Sequence, residues 1–427
     1  MQQRIIQVDE RPPLLKSIPL GLQHLFAMFG STVLVPFLFK VDPATILLMN
    51  GIGTLFYLIL CKGKIPSYLG SSFAFISPVF IVLGSKGYNA ALGGFIVVGV
   101  VFCLFALLIK SVGTRWIDVV FPPAAMGAIV AVIGLELVPV AASMAGLIPG
   151  TDAPKDWSID PTVVTVSLAT LLITIIGQAM FRGFLKIIPI LIGIVVGYVI
   201  AAASGLVSMD KVREADWLAV PTFYAPSWDW SSILIILPAA LVVIVEHIGH
   251  LIVTGNIVGK DLTKNPGLDR SLLGNGISTI VSGFVGSTPN TTYGENIGVL
   301  AITKVYSTWV LGLAAIFAVL LSFVGKLAAL INTIPTAVMG GISLLLFGVI
   351  AASGIRMLVE SKVDYSKPSN LILTTIVLVI GISGAKLAWG NFELKGMALA
   401  TVVAIVLSLF FKLSEVLGLS NDKEEAK

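Results

Sequence analysis

Gly286-Ser-Thr-Pro-Asn-Thr-Thr-Tyr-Gly-Glu-Asn296 interrupts a chain that is otherwise a succession of apolar runs. Small, polar and helix-breaking residues fill it, and only about seven apolar residues follow, where a full bilayer crossing needs roughly 20. Ser67-Tyr-Leu-Gly-Ser-Ser72 is a second stretch of the same kind. The apolar run behind it, starting at Phe73, is also short, about eleven residues against the roughly 20 required. Non-helical backbone at membrane depth is tolerated only where protein buries it or where it lines a cavity. Paired interruptions therefore predict a binding site near the bilayer midplane, with each short helix aiming its free N–H groups at a solute.

The interruptions belong to a repeat. Gln23-His24, Asn50-Gly-Ile-Gly-Thr54 and Pro66 in the first half answer to Glu246-His247, Asn275-Gly-Ile-Ser-Thr279 and Pro289 in the second, at separations that agree to within two residues. Further on, Pro122-Pro-Ala-Ala-Met-Gly-Ala-Ile129 matches Pro335-Thr-Ala-Val-Met-Gly-Gly-Ile342. One such match is within chance; several in the same order are not. Hydrophobic segmentation predicts fourteen spans, the first near 18–39 and the last two near 370–386 and 395–412. Each half then holds an odd number of spans, seven, and must enter the membrane from opposite sides. The expected fold is an all-α polytopic membrane protein of 14 transmembrane segments in 7+7 inverted repeats.

Composition agrees. Of 427 residues, 56% are apolar and 12% charged, against about 25% charged in soluble domains. The net charge of +4 comes from basic residues scattered between apolar runs, which argues against a nucleic-acid surface. Lys and Arg fall more than two to one on the side of the N-terminus, counting from Arg4 to Lys427, so both termini are expected in the cytoplasm. The first apolar run, to Phe39, lacks a small-residue cleavage pattern and is expected to be a span. Cys61 and Cys103 have no partner spacing and imply neither disulfide nor metal. No Walker loop is present to couple transport to ATP, and Glu246-His-Ile-Gly-His250 only half resembles a zinc-protease motif. No enzyme, cofactor or metal site is expected.

A charge near the bilayer centre is expensive and usually functional. Glu246 and His250, at i and i+4 in the eighth span, share a helix face. The alternative for each is a neutral group hydrogen-bonded between helices. For His24 and His247, which occupy matching repeat positions, that alternative is equally good. Glu295 opens the tenth-span half-helix. The helix dipole explains an acid there but not its depth. Phe73 opens the other half-helix, although a core aromatic is the usual reading. Glu136 and Asp118 lie near the ends of the fifth span and read as interfacial.

Gly294-Glu-Asn-Ile-Gly-Val-Leu-Ala-Ile-Thr-Lys304 resembles the signature of the nucleobase/ascorbate transporter family, carried here by Glu295, Asn296, Gly298, Thr303 and Lys304. Gln23-His24 resembles the family's first-span Gln-His pair. Lys62–Phe75 and Glu246–His250 look closest to its bacterial uracil:proton symporter branch, a resemblance that covers nearly the whole chain. It implies fourteen spans, with a core (1–114 and 231–330) and a gate (115–230 and 331–427), short antiparallel strands in spans 3 and 10, the bacterial inner membrane, and a homodimer. It also implies a uracil site lined by Phe73, Glu246, His250, Tyr293, Gly294 and Glu295, with Ser72, Gln23, His24, Asn296 and Phe347 in support. Ser31 and Phe347 depart from the family pattern, which holds Ala or Tyr there, and put gate-side hydrogen bonding in question.

Uracil fits those residues chemically. Its two N–H groups suit carboxylates at Glu246 and Glu295, and its carbonyls suit backbone amides near Phe73 and Gly294. Phe73 can meet its ring. Two ionised carboxylates beside a neutral base would be costly, so a proton on Glu246, shared with His250, is the expected coupling device. The rivals are a purine such as xanthine, a passive facilitator, and an anion exchanger. The last should carry a basic residue at the half-helix starts.

Overall fold

The protein is described by a computed structural model covering residues 5–150, 153–389 and 392–423. Arg4 and Lys427, used in the charge count, lie outside the described residues. In chain order the helices are α1 (Leu14–Ala27), α2 (Phe29–Phe39), α3 (Pro43–Leu60), α4 (Ile76–Ser85), α5 (Tyr88–Val112), α6 (Arg115–Val120), α7 (Pro123–Glu136), α8 (Val138–Met144), α9 (Pro161–Met180), α10 (Pro189–Ala203), α11 (Asp210–Glu214), α12 (Trp230–Ile236), α13 (Ala239–Val258), α14 (Leu268–Val285), α15 (Gly294–Thr303), α16 (Thr308–Ser322), α17 (Gly325–Asn332), α18 (Thr336–Glu360), α19 (Pro368–Ile382) and α20 (Gly396–Val416). Among the described residues, seven helical segments are long and apolar enough to cross a bilayer, or eight if α1 and α2, bent by 42°, form one span. The chain is a mostly helical, multi-pass membrane protein.

At the centre, β1 (Leu69–Ser71) and β2 (Asn290–Thr292) pair antiparallel, with Leu69 opposite Thr292 and Ser71 opposite Asn290. A two-stranded ribbon is marginal alone, and this one is wholly buried among helices. Its outer backbone groups must find partners there. The repeated motifs supply them. Leu69 N–H donates to Thr54 Oγ1 (2.9 Å), and Asn290 N–H donates to Thr279 Oγ1 (3.2 Å). Thr54 and Thr279 end the matching Asn-Gly-Ile stretches of α3 and α14, so each half holds its own strand with the same side chain. Each strand leads directly into a short helix, β1 through a turn at Phe73–Phe75 into α4, β2 into α15.

The helices sort into two packed groups. One joins α1, α3, α5, α14 and α16 around the strands; the other joins α7, α9, α18, α19 and α20. The repeat-matched helices α7 and α18 cross at backbone contact. A Cβ on Gly354 would lie 2.3 Å from the Ala131 nitrogen and 2.5 Å from the Gly127 carbonyl oxygen. Small residues let membrane helices approach this closely. Gly354→Ala must separate the helices, and a loss of about 1–3 kcal/mol is expected. Gly348→Ala, on the same helix with nothing within 4 Å, is the control. Thermal melting of the two purified variants in detergent measures the contrast.

The connection between the last two expected spans is a hairpin, β3 (Lys386–Trp389) against β4 (Phe392–Lys395), and only the terminal residues Lys386 and Lys395 of those spans are strand instead of helix. Only β4, Phe-Glu-Leu-Lys, alternates with the two-residue period of a strand, a pattern too short to stand out between two apolar helices.

Candidate substrate site

Both half-helices begin beside the strands, and a cavity of about 280 Å³ lies against their N-terminal ends. Phe73, Glu246, His250, Tyr293, Gly294 and Glu295 all line it. The structure thus brings together every residue expected to touch a substrate. The opposite wall is apolar, built from Val130 of α7, Ile190 of α10 and Leu346 and Ile350 of α18. The polar wall is built from α13, α15 and the two strands and the apolar wall from α7, α10 and α18, so the cavity lies between these two sets of elements.

Glu246 sits mid-way along α13 and is 8% exposed. Its Oε2 is buried without a hydrogen-bond partner among the described residues. A buried carboxylate oxygen left unpartnered is costly, and here it belongs to a side chain that lines the cavity. Glu295 is held differently. Ser31 Oγ of α2 donates to its Oε1 (2.5 Å), fixing the first turn of α15 to the opposite half of the repeat. Ser31 therefore positions a site carboxylate, although sequence reasoning marked it only as a departure from the family pattern. Ser31→Ala is expected to leave the fold intact and to weaken substrate affinity by about five- to tenfold, the worth of one charged hydrogen bond partly replaced by water. Isothermal titration checks it.

His250 Nδ1 meets Thr292 Oγ1 of β2 (3.1 Å). Its described hydrogen bond therefore runs to the strand and not to Glu246, although both side chains line the same cavity. Thr292 was not foreseen; only the strand pairing places it there. The rings of Phe73 and Tyr293 stand nearly parallel, 14° apart with centroids at 6.4 Å, and Phe347 of α18 abuts Phe73 edge-on at 6.2 Å. Phe347 thus touches the site through Phe73 from the far wall.

The supporting residues divide. His24 Nδ1 meets Asn296 Oδ1 (3.1 Å), and Asn296 Nδ2 donates to the Pro66 carbonyl (3.4 Å), a chain that ties α15 to α1 and to the approach to β1. Gln23 is buried beside His24, and Ser72 N–H donates to the Pro289 carbonyl (3.0 Å). His247 turns away from the cavity to Ser271 (2.8 Å), which also meets Tyr57 (2.6 Å). It joins α13, α14 and α3 as interhelical polar glue.

The cavity mouth is lined by Gln178, Lys186, Ile302, Ser353, Arg356 and Glu360. Ile302 ends α15 just before Val305, which bridges to Ile6 of the N-terminal segment. The cavity therefore opens on the face that holds the N-terminal segment.

Two broken helices meeting head-on beside a buried cavity between two sets of elements define a solute permease. Residues 15–390 match the model of a permease family that carries xanthine and uracil in its name, and the chain belongs to this family, the nucleobase/ascorbate transporters. It is 70% identical over 422 residues to the uracil permease of Paenibacillus larvae, covering 99% of this chain and 100% of that one. It is 65% identical over 417 residues to the uracil permease of Escherichia coli strain K12, covering 98% and 96%. Among solved structures it resembles the transmembrane domain of the cyanobacterial bicarbonate transporter BicA, with TM-score 0.63, 16% identity and coverage of 97% and 100%. It also resembles the murine Solute Carrier 26 family member A9 anion transporter in its inward-facing state, with TM-score 0.69, 13% identity and coverage of 95% and 69%. At such identities these two likenesses concern the fold alone.

Proposed function

We propose that the protein imports uracil across a bacterial inner membrane by proton symport, with no cofactor other than the coupling proton. The observation that carries this reading is the Glu246 carboxylate, one oxygen of it buried without a partner, lining with Glu295 a cavity against which two half-helices begin. Two carboxylates and two sets of free backbone N–H groups offer acceptors and donors to a small planar amide such as uracil. The names of the relatives support uracil. The half-helices begin at Phe73 and Gly294-Glu295, with no basic residue to draw an inorganic anion.

The proposed topology is fourteen spans in two inverted halves of seven, both termini cytoplasmic. The shared Thr54 and Thr279 anchors and the crossing of α7 with α18 support it. The proposed core (1–114 and 231–330) rocks against the gate (115–230 and 331–427), and the cavity between the two sets of elements then faces the two sides in turn. In this arrangement the mouth at Lys186 and Arg356 is the cytoplasmic opening. We further propose a homodimer in the membrane.

Glu246 and His250 carry the coupling in this account. His250→Ala is expected to retain binding within about tenfold, because the histidine bonds Thr292 rather than replacing a substrate acceptor. It is expected to weaken acid-driven uptake. An unchanged pH dependence of uptake in that variant would remove His250 from the coupling role.

Substrate class is tested by competition. Labelled uracil bound to the purified protein should be displaced by excess unlabelled uracil and not by xanthine or bicarbonate. Displacement by xanthine would move the substrate to purines, and displacement by bicarbonate would favour an anion site.

A further inference from the structure

We propose that residues 217–230, which lead from α11 into α12, form a strap that lies flat in the bilayer surface and inserts its apolar side chains at the level of the lipid headgroups.

The strap's backbone is bound to the protein along its length. Ala219 N–H donates to the Phe323 carbonyl (3.0 Å), and Gly325 N–H to the Trp217 carbonyl (3.1 Å), just beyond α16. Asp42 Oδ2, at the head of α3, accepts the Thr222 N–H (2.8 Å). Tyr224 N–H donates to the Val285 carbonyl at the end of α14 (3.3 Å), and Ser227 N–H to the Asn89 carbonyl in the first turn of α5 (2.8 Å). Glycines make the seat. A Cβ on Gly93 would lie 2.5 Å from the Ser227 carbonyl oxygen, and one on Gly325 2.5 Å from that of Asp216. One on Gly286 would strike the Tyr224 nitrogen. The strap thus lies backbone-down across α3, α5, α14 and α16, four members of one helix group.

Its large side chains point the other way. Trp217, Leu218, Val220, Phe223, Trp228 and Trp230 are each 57% to 79% exposed. A segment pinned at so many points cannot turn them inward, and a run of this kind marks a surface that something else covers. The bilayer is that cover, because the run continues the exposed apolar faces of two membrane helices. At one end, Leu320 and Phe323 are exposed where α16 finishes, and Leu218 bridges to Val324 beside them. At the other, Trp230 and Leu234 share an exposed face at the start of the span that α12 and α13 form. Tryptophan is the side chain enriched at the membrane–water boundary, with its body in apolar surroundings and its N–H in water. Charge does not draw the strap to lipid. Lys211, Arg213 and Lys326 are offset by Asp210, Glu214 and Asp216. Lys326 Nζ is spent on the Val212 carbonyl (2.8 Å) and lies 5.7 Å from the centre of the Trp217 ring. Apolar insertion, not attraction to anionic lipid, is the mode of binding.

The strap holds the head of α3. The far end of α3 leads to Gly63, and the Thr308 hydroxyl lies 3.1 Å from both the Gly63 carbonyl and that of Val8 in the N-terminal segment. The strap is therefore on the face away from the N-terminal segment and the cavity mouth. That face is the outer leaflet in the topology proposed above, and only the choice of leaflet rests on that topology. Interfacial tryptophans fix the depth of the elements that carry them, so the strap sets four helices at one level.

Cys61 and Cys103 are replaced by alanine, Leu218→Cys or Phe223→Cys is introduced, and each full-length variant is labelled with a nitroxide in liposomes of zwitterionic phosphatidylcholine. Power saturation then compares collisions with oxygen, which concentrates in the bilayer, and with a water-soluble nickel chelate. Lys211→Cys, charged and exposed in α11, is the aqueous control. Both strap positions are expected to favour oxygen and the control to favour the chelate. Preference for the chelate at either strap position would overturn the proposal and leave an aqueous loop. Shielding from both reagents would overturn it in favour of a second copy of the chain as the cover. The measurement needs no substrate and stands whatever the chain transports. If the cysteine-free chain does not fold, native fluorescence replaces the nitroxide. Trp217→Phe is then expected to remove emission that brominated phospholipid quenches. Loss of emission that only aqueous iodide quenches, or that neither quenches, would overturn the proposal as well.

Discussion

Glu246→Ala is expected to abolish uracil binding, by more than about a hundredfold, while the variant melts no lower than the parent. Both halves of that expectation follow from one observation. The carboxylate lines the cavity, and one of its oxygens is buried without a partner. Its desolvation cost is therefore already present in the empty protein and is relieved only when substrate N–H groups arrive. The lost hydrogen bond to a carboxylate and the substrate N–H left buried without an acceptor together cost about 3 kcal/mol or more, a hundredfold in affinity. Removing the side chain from the empty protein deletes that cost, and the space left joins an existing cavity. Affinity falls and stability does not, the separation expected of a group kept for function rather than for folding. Titration calorimetry paired with a melting curve reads both. Full-affinity binding by Glu246→Ala would remove it from the site, and a large drop in melting temperature would make it structural.

Glu295→Ala is expected to lose binding to the same degree but with a different stability signature. Glu295 lies in the first turn of α15, where the helix dipole favours an acid, and it accepts from Ser31 across the repeat. Its removal costs a binding group and also an interhelical bond, so a loss of about 1–2 kcal/mol in stability accompanies the lost affinity. Glu295→Gln separates the two effects. The amide oxygen still accepts from Ser31, which should restore melting, but an amide is a weaker acceptor for a substrate N–H and should restore binding only in part. Normal binding by Glu295→Ala would leave Glu246 as the sole carboxylate of the site.

The repeat and the two interruptions were legible because they rest on residues that can play few roles at membrane depth. Small, polar runs such as Ser67–Ser72 cannot continue an apolar helix, and they became β1 and the turn before α4. Glu246, His250 and Glu295 announced themselves by charge in apolar surroundings. What stayed hidden was chemistry between elements far apart in sequence. Ser31 is an ordinary helix serine until α2 is laid beside α15. Thr292 matters only through the strand register that sets it against His250. Glu136 looked like an interfacial acid because its partner, the start of α20, lies 261 positions away. His247 went the other way. Its match to His24 in the repeat suggested a shared role, yet one joins α13 to α14 and the other braces α15. Matching positions of a sequence repeat take different side-chain partners here because each half packs against different neighbours.

The central claim is tested most directly by uptake of labelled uracil into proteoliposomes of the purified protein, with and without an inward acid gradient. Uptake that rises with the gradient, ignores excess xanthine and disappears in Glu246→Ala is the predicted result. Uptake that runs equally well without a gradient, or that survives in Glu246→Ala, would contradict the account and leave a passive facilitator in its place.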